Sequence, residues 1–172
     1  MKELQYCPKC GNKTLQFNEI NKLSCTDCDF VLYHNCAAAV AVILRCRDEI
    51  FFTKRSQEPK SGMLDLSGGF VDPNESAEET CKRELMEELQ LPIDVSRLRI
   101  LGTRPNVYHF KGIDYNTMDI FFEYEVKEKF LPTLELSEVS DGIWVKISNL
   151  DFSSLAFDSQ RNFLRTWVEP FS

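Results

Sequence analysis

Two groups of side chains in this sequence have the types and spacing to do chemistry. The first is acidic. From Glu75 to Glu88 the chain carries six carboxylates against two bases, Lys82 and Arg83. If the stretch is helical, at ~100° per residue, Glu87 and Glu88 fall about 60° and 40° to either side of Glu84, so three carboxylates crowd one face. Like charges four residues apart destabilise a helix by ~0.2–0.5 kcal/mol per pair. A divalent cation reverses that sign. Hard oxygen ligands at this spacing suit Mg2+ or Mn2+, which commonly bridge protein carboxylates to substrate phosphates. The plain alternative is a solvated acidic face.

The second group is two cysteine pairs, Cys7-Pro-Lys-Cys10 and Cys25-Thr-Asp-Cys28, fourteen residues apart. Two such knuckles supply four thiolates for a closed tetrahedral Zn2+ site, whereas a redox site needs only one pair. A segment of ~36 residues cannot fold on an apolar core alone, so the metal is expected to hold it. The expected division is a zinc ribbon over 1–36 and a second domain over 37–172. Cys36, Cys46 and Cys81 have no ligand spacing and are expected as buried core thiols. His34 is surplus to a complete four-thiolate set.

The elements that must position these groups follow from pattern. Short strands are expected around Lys13–Phe17 and Phe30–His34 in the ribbon. Beyond it, Ala37–Arg47 and Glu49–Arg55 form a hairpin, Leu64–Phe70 a strand with Gly68-Gly69, and Ser76–Leu89 a helix. Ala77, Cys81, Leu85 and Leu89 give that helix an apolar stripe beside its acidic face. Leu98–Tyr108, Met118–Val126 and Gly142–Ile147 read as strands. Asp158–Val168 reads as a closing helix. Helices packed on a mixed sheet are the simplest assembly, an α/β fold.

Composition bounds the rest. The 172 residues are 43% hydrophobic and 27% charged, with net charge −7. The first 36 residues are neutral, so the acidity lies in the second domain. Nothing resembles the basic stripe that duplex nucleic acid or an anionic membrane attracts. The longest apolar run, Cys36–Leu44, is far short of the ~20 residues that span a bilayer. The opening Met1–Tyr6 has no apolar core after its cation, and a cytoplasmic protein is expected.

The stretch from Gly69 to Leu91 resembles the box of the Nudix hydrolase family, G-x5-E-x7-R-E-U-x-E-E-x-G-U, with U a bulky aliphatic residue. Gly69, Glu75, Arg83, Glu84, Leu85, Glu87, Glu88 and Leu91 match. Gln90 stands where the family has its helix-ending glycine, at a left-handed cost of ~1–2 kcal/mol. The resemblance implies an α/β/α sandwich that hydrolyses a nucleoside diphosphate linked to another group. It implies Mg2+ or Mn2+ on Glu84, Glu87 and Glu88 with the Gly68 carbonyl, and a Glu75–Arg83 pair that holds the loop. It further implies a glutamate near Trp144, for which Glu138 is the candidate and Glu135 the rival. The general base stays open among Glu84, Glu87, Glu88 and Glu138. A ribbon followed by such a domain is similar to the NADH pyrophosphatase branch, although that branch's S-Q-P-W-P-F-P motif is replaced here by Thr-Arg-Pro-Asn-Val-Tyr-His around Pro105.

The expected substrate is a small nucleotide such as NADH or ADP-ribose. The resemblance places Arg55 in a loop that often approaches substrate, and Arg104 is a candidate phosphate contact by its charge. Tyr108 and Tyr115 are candidates for stacking on a base, weighed equally against a core role. Two alternatives remain at this point: removal of nucleotide caps from RNA, and a binding protein using the ribbon beside an inactive domain. The resemblance also allows a homodimer.

Overall fold

The computed structural model describes residues 4–171. Two compact units emerge: one runs to Cys36 and includes Lys111–Ile113, and the other holds the remainder. No helix among the described residues is long and apolar enough to cross a membrane.

The first unit is a three-stranded antiparallel sheet in the order β1 (Leu15–Phe17), β2 (Lys22–Cys25), β3 (Val31–Tyr33). The middle strand is absent from the sequence reading, because Lys22–Cys25 contains one apolar residue of the strand-forming kind, Leu23. The signal that marks it is a turn. Asn18 Oδ1 accepts the backbone N–H groups of Ile20, Asn21 and Lys22 at 2.8–3.0 Å, reversing the chain into β2. Leu23 is fully buried, and with Cys7 it forms what apolar centre this unit has.

The second unit is built on a mixed sheet. Its strands are β4 (Ala37–Cys46), β5 (Glu49–Arg55), β6 (Leu64–Asp65), β7 (Arg99–Phe110), β8 (Ile113–Glu125) and β9 (Val139–Lys146). The order is β6-β5-β4-β8-β7, with β9 also on β5. β4 runs parallel to β8 and antiparallel to β5. β7 and β8 are longer than expected, meeting at Lys111-Gly112, where both residues have positive φ as a tight hairpin turn requires. Beyond β6 the segment from Ser67 to Phe70 is not a continuous strand, but it bridges β4 at Val42 and Ala39.

Alternation along β4 divides the core in two. Val40, Val42 and Leu44 face helix α1 (Ala77–Leu89), which buries Cys81, Leu85 and Leu89 against them. Ala41 and Ile43 face helix α2 (Asp158–Trp167), where Phe163 stacks on Phe121 with centroids 4.0 Å apart. The sheet therefore lies between two helices, an α/β/α sandwich, as the resemblance implied. Cys46 and Cys81 are buried as expected. Cys36 is exposed instead, because it precedes β4 and lies outside both core layers.

Helix α1 starts on a capping box. Ser76 Oγ accepts from Glu79 N, and the Glu79 carboxylate accepts from Ser76 N. It ends at Gln90, which adopts φ 53° and ψ 34°. The turn that glycine would make easily thus forms with glutamine. Gln90 N donates to Met86 O and Leu91 N to Leu85 O, both at 3.1 Å. The last turn has no basic residue but carries Glu87 and Glu88 at the negative end of the helix dipole. Backbone N–H groups of Thr133 and Glu135 donate to the Leu89 and Glu88 carbonyls, at 3.2 and 3.0 Å, and satisfy that end. Because the Gln90 side chain is exposed, Gln90→Gly should relieve the left-handed strain and raise unfolding stability by ~1 kcal/mol in urea titration. A fall in stability would show that glutamine contributes more than its conformation costs.

Candidate active site

Arg83 organises the acidic face. Its Nε and Nη2 meet Glu75 Oε1 and Oε2 at 2.9 and 3.0 Å, a two-pronged pair. Nη2 also donates to Phe70 O at 3.0 Å, and Nη1 to Glu84 Oε1 at 2.8 Å and Glu87 Oε2 at 3.2 Å. A guanidinium has five N–H donors, and these contacts use them all. Arg83 is therefore a positioning residue that ties the loop to the helix. Hydrogen bonds from Arg83 and then Thr80 hold Glu75 well below the usual carboxylate range, at about 2.

The chain approaches this helix closely at Gly68-Gly69. Val42 N donates to Ser67 O at 2.9 Å and Val40 N to Gly69 O at 2.8 Å. Gly68 has φ +150°, and a Cβ there would collide with the Val40 carbonyl. A Cβ on Gly69 would occupy the place of the Glu84 carboxylate. Both positions need glycine for the backbone to lie against β4 and the acids at once.

The carboxylates themselves are unevenly placed. Glu87 is exposed; Glu84 is buried at 8% exposure. Glu88 Oε2 is buried with no hydrogen-bond partner, and so is Ser67 Oγ. Burial pushes Glu88 well above the ordinary carboxylate range, the negative charges of Asp65, Glu84 and Glu138 push the same way, and the nearby Ser67 hydroxyl pulls against them without cancelling the rise. Burial also raises Glu84, against the opposing pull of Arg83. An orphaned buried acceptor costs free energy until a cation or proton meets it. The donor set is all oxygen, which fits a hard divalent ion.

These groups border a cleft of about 530 Å³. Glu138 borders it as well. Its backbone is held by Ser56 N donating to Glu138 O at 3.0 Å, and the preceding Ser137 carbonyl accepts from Ser56 Oγ and Gln57 Nε2, each at 2.7 Å. The rival Glu135 spends its carboxylate on Ser137 N and Oγ and does not border the cleft. Gly68, Arg55 and Tyr108 are at the cleft wall. Arg55 donates to Asp65 Oδ2 at 2.7 Å and to Pro59 O at 2.8 Å. Arg104 and Tyr115 are not brought to the cleft. Arg104 lies over the Phe163 ring, 5.3 Å from its centroid, so its charge serves packing on α2. Strand alternation puts Arg104 on the same face as Asn106 and Tyr108, and Tyr115 on the same face as Thr117 and Asp119, so position along the strand, which residue type does not encode, takes both away from the cleft.

The cleft also contains residues that the sequence reading missed. Phe70 and Phe157 flank Tyr108, with centroids 5.6 and 5.9 Å from its ring. Asp65 accepts from Arg55 and from Gln160 Nε2, the latter at 2.5 Å. Asp119 accepts from Thr117 and Ser159. Asp119 carried one usable signal: an acid inside an otherwise apolar strand pattern.

In the first unit, Cys7, Cys10, Cys25 and Cys28 converge, with sulfurs all within 4.8 Å of one another. The Cys7–Cys28 and Cys10–Cys25 Sγ separations are both 3.7 Å, and no disulfide joins them. Four thiolates about 2.3 Å from a central zinc would lie ~3.8 Å apart, so the cluster fits that geometry. The Thr14 hydroxyl at 3.1 Å and the Asp27 N–H at 3.3 Å pull the Cys25 thiol down to about 6.

A helix bearing R-E-x-x-E-E against a diglycine edge, as one outer layer of an α/β/α sandwich, defines a Nudix-type domain. The NUDIX domain family model matches residues 34–167, and the chain belongs to that family. It is 30% identical over 171 residues to the NAD-capped RNA hydrolase NudC of Pseudomonas syringae pv. syringae, covering 99% of this chain and 56% of that protein. It is 30% identical over 146 residues to the NudC of Haemophilus influenzae (strain PittGG), covering 84% and 52%. The chain thus spans about half the length of the curated relatives it matches. Among solved structures, a NUDIX hydrolase from Nitrosomonas europaea aligns with TM-score 0.65 at 22% identity, over 96% of this chain and 91% of that one.

The buried carboxyls set a testable pH dependence. A glutamate whose folded pKa is raised takes up a proton on folding, so its contribution to stability falls as pH rises past the unfolded value near ~4.3. Without divalent ions, Glu88→Gln should therefore raise the melting temperature at pH 8 and change it little at pH 4. In the parent protein Mg2+ or Mn2+ should raise the melting temperature more at pH 8 than at pH 5, and Glu88→Gln should remove most of that rise. A variant that melts lower at pH 8 would show that the Glu88 charge is already compensated.

Proposed function

We propose that this chain hydrolyses the pyrophosphate bond of a nucleoside diphosphate linked to another group, in compounds of the NADH and ADP-ribose kind. The observation that carries the reading is the buried, unpartnered Glu88 Oε2 beside Glu84, a pair of acids that makes sense as ligands for a cation. Mg2+ or Mn2+ would be held by Glu84, Glu87, Glu88 and Glu138 with the Gly68 carbonyl. When bound, such an ion neutralises the diphosphate and makes a coordinated water a better nucleophile.

The protein's own groups do the rest. Arg83 fixes Glu84 and Glu87 and anchors the Phe70 carbonyl, so the diglycine edge cannot drift from the helix. Arg55, held by Asp65, presents positive charge to the diphosphate in an otherwise acidic cleft. Phe70 and Tyr108 offer faces on which a flat ring of the substrate stacks, worth ~1–3 kcal/mol. The water's proton passes to one of Glu84, Glu87, Glu88 and Glu138. Residues 1–36 form a zinc ribbon that depends on Cys7, Cys10, Cys25 and Cys28, and 37–172 form the hydrolase domain.

The names of the NudC relatives favour a second reading, in which the same bond is cut at a nucleotide cap on RNA. The net charge of −7 speaks for the small substrate, since polyanion binding depends on cationic contacts. Turnover of free NADH and of NAD-capped RNA, measured side by side, separates the two readings.

Glu87→Gln and Glu88→Gln should each lower kcat on the best dinucleotide by at least ~100-fold while leaving the circular dichroism spectrum unchanged. Near-parental rates in both would remove the metal assignment. Elemental analysis should find one zinc per chain. Cys25→Ser with Cys28→Ser should lose that zinc and, with it, the protease resistance of the first 36 residues.

A further inference from the structure

The proposed hydrolysis leaves one buried acid in the cleft without a task. Asp119, on β8 and 8% exposed, borders the cleft on the α2 side of the sheet. Its Oδ1 accepts from Thr117 Oγ1 at 2.7 Å and its Oδ2 from Ser159 Oγ at 2.6 Å. These two contacts orient the carboxylate but do not saturate it, since a carboxylate offers about four acceptor positions.

Its place in the sheet is informative. Ala39 on β4 is the register partner of Asp119 on one side and bridges Phe70 on the other. Residues directly opposed across strands point to the same face. Phe70 and Asp119 therefore stand on one face with only the Ala39 methyl between them, about two strand spacings or ~9.6 Å apart at the backbone. Tyr108 packs edge-on to Phe70, with the ring planes at 88°, and close to Phe157. The result is a slot with aromatic sides, an alanine floor and one fixed anionic acceptor. Along the chain Phe70 adjoins Gly69, which touches Glu84, so a ligand in this slot reaches the acidic helix across one edge of the sheet.

We propose that Asp119 is a specificity-determining residue, accepting a hydrogen bond from an N–H2 group on the planar heterocycle that lies against Phe70 and Tyr108. This rests on the dinucleotide reading above and deepens it. An oxo or carboxylate group in the same place sets acceptor against acceptor beside a buried charge, and such a site rejects the analogue that cannot donate. Two parts of a nicotinamide dinucleotide carry such a group: the amine of adenine and the carboxamide of nicotinamide.

Three ligands separate them: NAD, its nicotinic acid counterpart and its hypoxanthine counterpart, which share one pyrophosphate. Calorimetric binding without added divalent ion, and kcat/KM with Mn2+, are measured for each. One counterpart should be at least ~10-fold weaker than NAD in both measurements, and the other within threefold. Loss with the hypoxanthine compound assigns the slot to adenine, and loss with the nicotinic acid compound assigns it to nicotinamide. Asp119→Asn, which can turn its amide to accept or donate, should bring the disfavoured ligand within threefold of NAD. Equal binding of all three to the parent protein overturns the proposal whether or not the variant folds, as does discrimination that survives in Asp119→Asn. Absence of binding by any of them overturns it too. Binding with discrimination but no turnover leaves Asp119 assigned and instead removes the hydrolase reading.

Discussion

Mutual repulsion among buried and half-buried carboxylates is the constraint around which the second unit is arranged. Burial raises the proton affinity of Glu84, Glu88 and Asp65 alike, and at Glu88 the charges of Asp65 and Glu84 add to it. One guanidinium offsets part of that charge. Arg83 spends every donor on Glu75, Glu84, Glu87 and the Phe70 carbonyl. Removing it would leave Glu84 buried and unpaired, which is the costly way to break a buried ion pair. Glu88 lies outside its reach and stays uncompensated. The fold thus carries a local free-energy deficit at the place where a cation would be most useful, a pattern common at sites where chemistry outranks stability.

The backbone geometry follows from the same requirement. A chain can deliver a carbonyl edge to a buried acid only where no side chain intervenes, hence Gly68 and Gly69 together. The Ser67–Phe70 segment occupies the side of β4 that β5 leaves open, so it is anchored by β4 hydrogen bonds yet still borders the cleft. The opposite helix, α2, contributes through Gln160 and Ser159, which fix Asp65 and Asp119. Residues from both core layers therefore meet at one end of the sheet, and the cleft draws on both faces.

The first unit obeys a different economy of forces. Among the described residues its buried apolar side chains are Leu23 and Cys7, too little to hold three short strands in water. Four converging sulfurs supply the alternative, and chain reversals at Asn18 and at Gly11, where φ is +77° and the N–H donates to Cys7 O at 2.9 Å, bring them together.

By itself the sequence determined what local chemistry can encode. Fixed spacing along one helix set the R-E-x-x-E-E face and the apolar stripe behind it, because helical neighbours are three and four residues apart whatever surrounds them. The cysteine knuckles were legible because each pair is set by a two-residue spacing within one turn. Tertiary structure alone decided that Glu138 and not Glu135 reaches the cleft, that Arg104 serves packing while Arg55 borders the cleft, and that Ala39 brings Phe70 and Asp119, forty-nine residues apart, onto one surface. Such pairings depend on strand register and on which edge of β4 stays open. Those are properties of contacts between distant segments, and no window of sequence contains them.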